Sequence, residues 1–149
     1  MRFADNYFRF WSAFMKPYQG LIEAGMGEEV LEIIKGRWGE YMGTAFEDAV
    51  ADMVPDLVRA GVIRALPERY GRWWHKGEEI DLVVVGADAA QFIEVEWGTL
   101  TAREARRALD RLRVRAAKTG LMGRRAHYTL IAGELAGAPS LERERAPTT

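Results

Sequence analysis

The sequence predicts a mixed domain of helices and strands, α/β or α+β in class, and three observations support this. Up to Gly61, aromatic and aliphatic residues recur at intervals of three and four, which is the helical period. After Gly61 the pattern changes to short runs of branched and aromatic residues, which are typical of strands. A helical stretch and one more apolar run follow, so a crossover connection with some parallel pairing is expected.

Helices are expected in three stretches before Gly61. The expected ranges are 3–16, 28–35 and 37–60. Pro17 and Gly20 are expected to end the first helix, because both residues commonly follow a helix terminus. Pro55 lies inside the third helix, where it favours a kink or an early end near Val54. Gly61 suits the left-handed backbone conformation that often closes a helix.

Five strands and a further helix are expected in the remaining core. The strands are expected at 62–66, 69–75, 79–86, 91–97 and 127–132. Side chains alternate along the fourth strand, so Phe92, Glu94 and Glu96 are predicted to share one face. Thr99 or Thr101 can cap the helix, which is expected to run to about residue 118.

The domain organisation follows from these patterns. One domain is expected over 1–133, with a helical N-terminal extension at 1–36 and a core at 37–133. Residues 134–149 show no sustained period, so they are expected to form a loose tail.

The composition removes several classes of function. The chain has 149 residues and no cysteine, which excludes disulfides, thiolate zinc sites and cysteine nucleophiles and favours a cytoplasmic protein. With only His75 and His127 as imidazoles, a histidine zinc site or a Ser-His-Asp triad is improbable. No uncharged apolar run approaches the length of a membrane span, so no membrane association is expected.

The net charge of −1 conceals a marked separation of charge. Residues 1–98 hold 17 acids and 10 bases, whereas residues 99–125 hold nine bases and two acids. Arginines spaced by four form a stripe along the predicted helix, with two more beside it. They are Arg103, Arg107, Arg111 and Arg115, with Arg106 and Arg113 beside them. Because like charges at this spacing destabilise a helix, either the protein's own acids or an external polyanion such as DNA is expected to offset them.

Three carboxylates occur where a charge needs an explanation. Asp81 opens the most apolar strand, where an unpaired charge is costly unless a base or a metal ion neutralises it. Glu94 and Glu96 share a strand face, so a base, a proton or a cation is expected between them. Mg²⁺ is typically held by one or two carboxylates. Solvated surface acids and ordinary salt bridges remain the alternative interpretation.

Glu47 joins this set through its position on the predicted third helix. Its neighbours on the helical wheel are small or apolar, so it lies on the flank of the buried face. A salt bridge at the edge of the core, with Arg37 or Arg72, is the alternative.

Three motifs together resemble a known superfamily. They are Phe46-Glu47, Gly71-Arg-Trp-Trp-His-Lys-Gly-Glu-Glu-Ile-Asp81, and Phe92-Ile-Glu94-Val-Glu96-Trp97 with a basic helix after it. The pattern resembles the PD-(D/E)XK restriction-endonuclease-like superfamily, and more closely the domain of unknown function at the C-terminus of archaeal ATPases. The openings at 5–11 and 21–25 are also similar to that family, so the resemblance spans about residues 2–133.

The resemblance implies a restriction-endonuclease-like αβββαβ core with a mixed sheet and a Mg²⁺ or Mn²⁺ site. It implies that Glu47 is the helix acid, with Asp81 and Glu94 as the strand acids, and that all three hold the metal. The superfamily's lysine, two residues after the second strand acid, is Glu96 here. Lys76 or Arg72 would then supply the missing positive charge.

Two functions are compatible with these residues. The first is a Mg²⁺-dependent nuclease-like domain that acts on or binds DNA phosphodiesters, with the arginine stripe on the phosphates. The second is a catalytically inactive DNA-binding or regulatory module that works with an ATPase partner, as the replacement of lysine by Glu96 suggests. A homodimer is a further expectation, and the aromatic residues Phe8, Trp11 and Phe14 are candidates for an interface with a protein partner or a second copy.

Overall fold

The computed structural model describes residues 7–136, which fall into two compact units, 7–42 and 43–136. The first unit contains a π-helical turn at Trp11–Met15, a 3-10 turn at Lys16–Tyr18 and helix α1 at Gln19–Glu23. Phe14 is its buried centre, and the rings of Phe10, Trp38 and Tyr41 pack around it with centroid distances between 5.0 and 6.3 Å. The expectation that Phe14 lies at an interface is therefore wrong, because its side chain is only 1% exposed.

The helical prediction for 3–16 is confirmed from residue 7 onward, and its first residues lie outside the described part of the chain. The expected stop at Pro17 and Gly20 is wrong, because the chain continues through the 3-10 turn into α1. Pro17 lies within the first two positions of that turn, where its missing N–H is not needed as a donor.

A single helix, α2 at Gly27–Asp52, covers the predicted helix 28–35 and most of the predicted helix 37–60. It runs without a break through Gly36, since a single glycine weakens a helix by only about 1 kcal/mol and does not end it. The expected early end near Val54 is confirmed: helix α3 is a separate element, Val54–Arg59, with Pro55 in its first turn. Gly61 follows with a φ of 72°, the left-handed conformation that its position predicts.

A four-stranded sheet forms the second unit, in the order β1-β2-β3-β4. The strands are Arg69–His75, Glu78–Val85, Ala89–Thr101 and Arg125–Ala136. The first three pair antiparallel, and β4 pairs parallel to β3 after helix α4, Ala102–Ala117. The mixed class that the sequence predicts is therefore confirmed, and the elements follow the αβββαβ order that the resemblance implies.

Apolar clusters cover both faces of the sheet. On one face, Val50 and Val54 from the helices pack with residues of β2 and β3 such as Leu82. On the other face, Leu112 of α4 packs with Phe92 and the remaining strand residues. The two central strands, β2 and β3, are consequently buried on both sides.

Three boundaries differ from the prediction. No strand forms at 62–66. The side chain of Gln91 holds that segment instead: its Oε1 accepts a hydrogen bond from the Arg64 N–H, and its Nε2 donates one to the Val62 carbonyl. Strand β3 continues to Thr101, which caps α4 and bonds reciprocally with Glu104. Strand β4 includes residues 134–136 of the expected tail, and 137–149 lie outside the described residues.

Within residues 7–136, no helix is long and apolar enough to cross a membrane.

Candidate functional site

Asp81 lies in a bulge of β2. Across the β1–β2 ladder, Gly71 pairs with Val83 and Trp73 pairs with Ile80, so β2 carries one extra residue between these pairs. The Asp81 carboxylate turns toward β3, where its Oδ2 accepts a hydrogen bond of 2.8 Å from the Val95 N–H. Bulges of this kind re-aim a side chain and are common beside active sites. The bulge thus brings the Asp81 carboxylate against β3.

Glu94, on β3, is 8% exposed. Its Oε1 accepts a hydrogen bond of 2.8 Å from one guanidinium nitrogen of Arg115, whose other terminal nitrogen donates to the Glu79 carbonyl at 2.8 Å. The second oxygen of Glu94, Oε2, is buried and has no hydrogen-bond partner among residues 7–136. An acceptor in that state is costly, so this oxygen needs a proton or a cation that the described residues do not supply.

Glu47 projects from α2, half-buried, and forms an ion pair with Arg72 of β1. Of the two arginines expected as alternatives, Arg72 is therefore the partner. Arg37 instead lies over the ring of Phe14, with its guanidinium carbon 5.8 Å from the ring centroid.

The three carboxyl groups influence one another. Burial is the largest cause that raises the pKa of Glu47, Asp81 and Glu94 above the ordinary values. The negative charge of Asp81 raises the pKa of both other groups further. In the opposite direction, the Val95 N–H lowers that of Asp81 and the Arg115 guanidinium lowers that of Glu94. Asp81 is consequently the electrostatic centre of an acidic site, defined here as these three residues.

The acidic site fits a cation held by two carboxylates better than one held by three. Within the part of the chain that the structure describes, no group of three acids or histidines lies close enough to hold a metal ion. Asp81 and Glu94 occupy adjacent strands, and Glu94 has a free buried oxygen. Because Mg²⁺ often takes one or two carboxylates and completes its shell with water and phosphate, this pair suits it.

The predicted accessory residues lie in different places. Glu96 is half-exposed on β3, two residues beyond Glu94, and its charge raises the pKa of Glu94. Lys76 is exposed at the tip of the β1–β2 hairpin, in a left-handed conformation with φ 50°. Arg72 is the cation beside the acids, since its charge lowers the pKa of both Glu47 and Asp81.

The predicted arginine stripe on α4 divides in two. Arg103, Arg106, Arg107 and Arg111 are exposed. Arg115 instead lies on the flank of the buried face, with 18% of its side chain exposed, and is bound to Glu94.

The sequence prediction for Arg115 is wrong, because its spacing of four from Arg111 is also the spacing of the exposed stripe. The better signal is its distance from the core positions: Arg115 follows Leu112 by three residues and Ala108 by seven. Helical geometry places such a residue beside the buried face.

The fold and the acidic site define a mixed α/β domain with paired carboxylates on its central strands. The family model described as "Archaea bacterial proteins of unknown function" (DUF234) matches residues 11–108, and the chain belongs to this family. The chain is also similar to an uncharacterized protein of Methanocaldococcus jannaschii, with 29% identity over 129 residues. That similarity covers 85% of this chain and 29% of the relative, so the chain spans under a third of the relative's length. No solved structure matches the chain.

Proposed function

We propose that this chain is a nuclease-like domain of the PD-(D/E)XK type, which binds Mg²⁺ or Mn²⁺ and acts on DNA phosphodiesters. The observation that carries the proposal is the buried, unpaired Oε2 of Glu94 beside the charge of Asp81. Two carboxylates on adjacent strands with one unsatisfied oxygen are a suitable ligand set for a hard divalent cation. We also propose a cytoplasmic location, because the chain has no cysteine and therefore no disulfide.

The chain's own residues would prepare the acidic site for this chemistry. When bound, the cation would polarise the phosphate and lower the pKa of a water molecule. The Val95 N–H fixes the Asp81 carboxylate, and Arg115 holds one oxygen of Glu94 so that the other is left for the cation. Arg72 places a positive charge near the acids, where it would offset negative charge that develops on the phosphate.

Glu96 would act differently from the lysine that the superfamily has at this position. A carboxylate at this position can accept a proton from the attacking water, whereas a lysine would orient the water through its positive charge. Glu96 is half-exposed, so bulk water can reach it. Glu47 would remain at the margin of the site through its ion pair with Arg72, and Lys76 would contact a phosphate from the exposed tip of the β1–β2 hairpin.

The exposed arginines of α4 would contact DNA phosphates. Each phosphate contact releases counterions, so binding should weaken steeply as salt rises. Replacing Arg103, Arg107 and Arg111 by glutamine should reduce the slope of log affinity against log salt by roughly one unit per lost contact. An unchanged slope would show that these arginines do not contact the DNA phosphates.

A cleavage assay tests the proposal. Labelled single-stranded and duplex DNA are incubated with the chain and Mg²⁺ or Mn²⁺, and the products are resolved on a gel. We expect metal-dependent cleavage that is lost in Asp81→Asn and Glu94→Gln. Asp88→Asn is the matched control, because Asp88 is exposed in the turn that follows β2. Equal cleavage by all four proteins would contradict the assignment of the site.

The second candidate is a catalytically inactive DNA-binding or regulatory module that works with an ATPase. It is favoured by Glu96 at the lysine position and by the arginine partners of Glu47 and Glu94, which already neutralise much of the acidic charge. The relative from Methanocaldococcus jannaschii has ample further length for another domain. This candidate predicts salt-sensitive DNA binding and no cleavage with either metal, whereas the nuclease proposal predicts salt-sensitive binding together with metal-dependent cleavage.

A further inference from the structure

Two aromatic side chains on β1 lie exposed on the same face as Arg72. Trp74 is 70% exposed and Tyr70 is 48% exposed. Residues 70, 72 and 74 alternate along β1, so their side chains point to one side of the sheet, and Trp73 between them packs into the apolar cluster on the other side. Large exposed aromatics at an edge strand are uncommon without a function, because they invite association.

This face is continuous with the acidic site. Trp74 pairs with Glu79 across the β1–β2 ladder, and the charge of Glu79 raises the pKa of both Asp81 and Glu47. Arg72, between the two aromatic residues, is the ion-pair partner of Glu47. A ligand that lies on Trp74 and Tyr70 is therefore beside Glu47 and Asp81 of the acidic site.

The composition of β1 and of Lys76, which follows it, indicates which ligand fits. Residues 69–76 hold three arginine or lysine residues, one histidine and three aromatic residues, with no acid. Positive charge interleaved with exposed aromatic rings is the pattern by which proteins bind single-stranded nucleic acid: the charges track the phosphates and the rings stack on unpaired bases. A base within a duplex is already stacked and cannot present its face to such a ring.

We propose that Trp74 and Tyr70 form a base-stacking platform that delivers an unpaired strand of nucleic acid to the acidic site. The inference rests on the proposed function for the role of that site, but the platform itself is a binding surface and is measured without cleavage. Its ligand is single-stranded nucleic acid, and DNA and RNA share the base faces that the rings would contact. The two residues span about 13 Å along the strand, enough for stacking of separate bases.

Fluorescence anisotropy with labelled oligonucleotides of about 12 nucleotides tests the platform. The labelled ligands are oligo-dT, oligo-U and a duplex of the same length, all in Mg²⁺ buffer. Every protein in the assay carries Asp81→Asn, so that cleavage does not interfere with binding. We expect Trp74→Ala to weaken single-strand binding about 5- to 150-fold, the range that corresponds to loss of one base stack. Trp74→Phe should retain most of the affinity, because phenylalanine also stacks.

Leu66→Ala is the matched control, since Leu66 is 79% exposed in the same unit and lies outside β1. Circular dichroism checks that each variant is folded. Equal affinity of Trp74→Ala and Leu66→Ala for the single strand would overturn the proposal, as would duplex binding tighter than single-strand binding. A concentration-dependent dimer that Trp74→Ala dissociates, with no oligonucleotide binding, would overturn it in favour of pairing between copies. A comparison of the affinities for oligo-dT and oligo-U shows whether the ligand is DNA or RNA.

The result is distinct from the outcome of the cleavage assay. If the chain binds the single strand through Trp74 and never cleaves it, the platform stands and the nuclease proposal fails. If the chain cleaves DNA and Trp74→Ala binds normally, the platform fails and the nuclease proposal stands.

Discussion

Arg115 donates a hydrogen bond of 2.8 Å to Oε1 of Glu94, while Oε2 of the same carboxylate is buried without a hydrogen-bond partner among residues 7–136. Only 18% of the arginine side chain and 11% of the glutamate side chain are exposed. The arginine therefore neutralises the charge of Glu94 but satisfies only part of its capacity to accept hydrogen bonds. The ion pair stabilises the folded chain, and the unsatisfied oxygen gives the acidic site its predicted affinity for a cation.

Removal of Arg115 tests the contribution of this ion pair to stability. Arg115→Met should lower the free energy of unfolding by about 3 kcal/mol, because Glu94 would lose the partner of its buried charge. Urea denaturation measures the loss. Arg111→Met, an exposed arginine on the same helix, should change stability by less than about 0.5 kcal/mol. In the Arg115→Met background, Glu94→Gln should restore stability, and an additive loss instead would show that the two side chains act independently.

The acidic site also predicts how stability depends on pH. Burial raises the pKa of Asp81 above its ordinary value of 3.8, so the folded chain holds this proton more tightly than the unfolded chain. The stabilisation from protonated Asp81 is complete below pH 3.8 and is lost as the pH rises through the raised pKa. Asp81→Asn carries no charge, so its stability relative to the parent should increase with pH above 3.8. Denaturation at several pH values measures this, and a constant difference would contradict it.

The coupling among the carboxyl groups is measurable separately. Because the charge of Asp81 raises the pKa of Glu47 and Glu94, Asp81→Asn should lower the pKa of both groups. Nuclear magnetic resonance titration of the side-chain carboxyl carbons follows each group directly. Asp88→Asn, in the exposed turn, should leave both unchanged. If Asp81→Asn shifts neither glutamate, the three carboxyl groups do not form one electrostatic site.

Gln91 should be essential for the segment that precedes β1. Its side chain is 1% exposed and bonds to the Arg64 N–H, the Val62 carbonyl and the Thr129 hydroxyl at 2.7 to 2.8 Å. Gln91→Leu keeps the size but leaves these partners unsatisfied, so we expect a loss of about 3 kcal/mol in unfolding free energy. Hydrogen exchange of the Arg64 amide should accelerate more than that of the β2 amides. Uniform exchange would mean that Gln91 does not anchor the segment.

Gly86 should tolerate no side chain. A Cβ at this position would lie 2.4 Å from the carbonyl oxygen of Leu66, a backbone atom that cannot move aside without displacing the segment. Gly86→Ala should therefore destabilise the chain by about 1 to 3 kcal/mol in thermal denaturation. Gly43→Ala, within α2 and with no atom within 4 Å of the new Cβ, should stabilise it by roughly 0.5 to 1 kcal/mol. The same sign for both variants would contradict this packing.

Local sequence patterns were sufficient for most of the fold. The capping threonine of α4, the proline that separates α2 from α3 and the alternation in β3 all act through neighbours a few residues away. The segment 62–66 was wrongly predicted as a strand because its branched residues suit one equally well. What holds it is the Gln91 side chain, 27 to 29 residues away in sequence, and local patterns carry no such information.

The candidate site shows the same limit. Periodicity placed Glu94 on a strand face and Glu47 on the flank of a helix, and both positions agree with the structure. It could not indicate the bulge at Asp81, since a bulge depends on the register between two strands. Nor could it assign Arg115 to Glu94, because that pair joins α4 to β3 across the interior.

Isothermal titration calorimetry with Mg²⁺ and Mn²⁺ tests the central claim most directly, because it measures cation binding without any assumption about substrate. We expect binding by the parent chain that is abolished in both Asp81→Asn and Glu94→Gln and retained in Asp88→Asn. Binding that survives in both acidic-site variants, or a parent chain that binds neither cation, would contradict the assignment of Asp81 and Glu94 as a metal site.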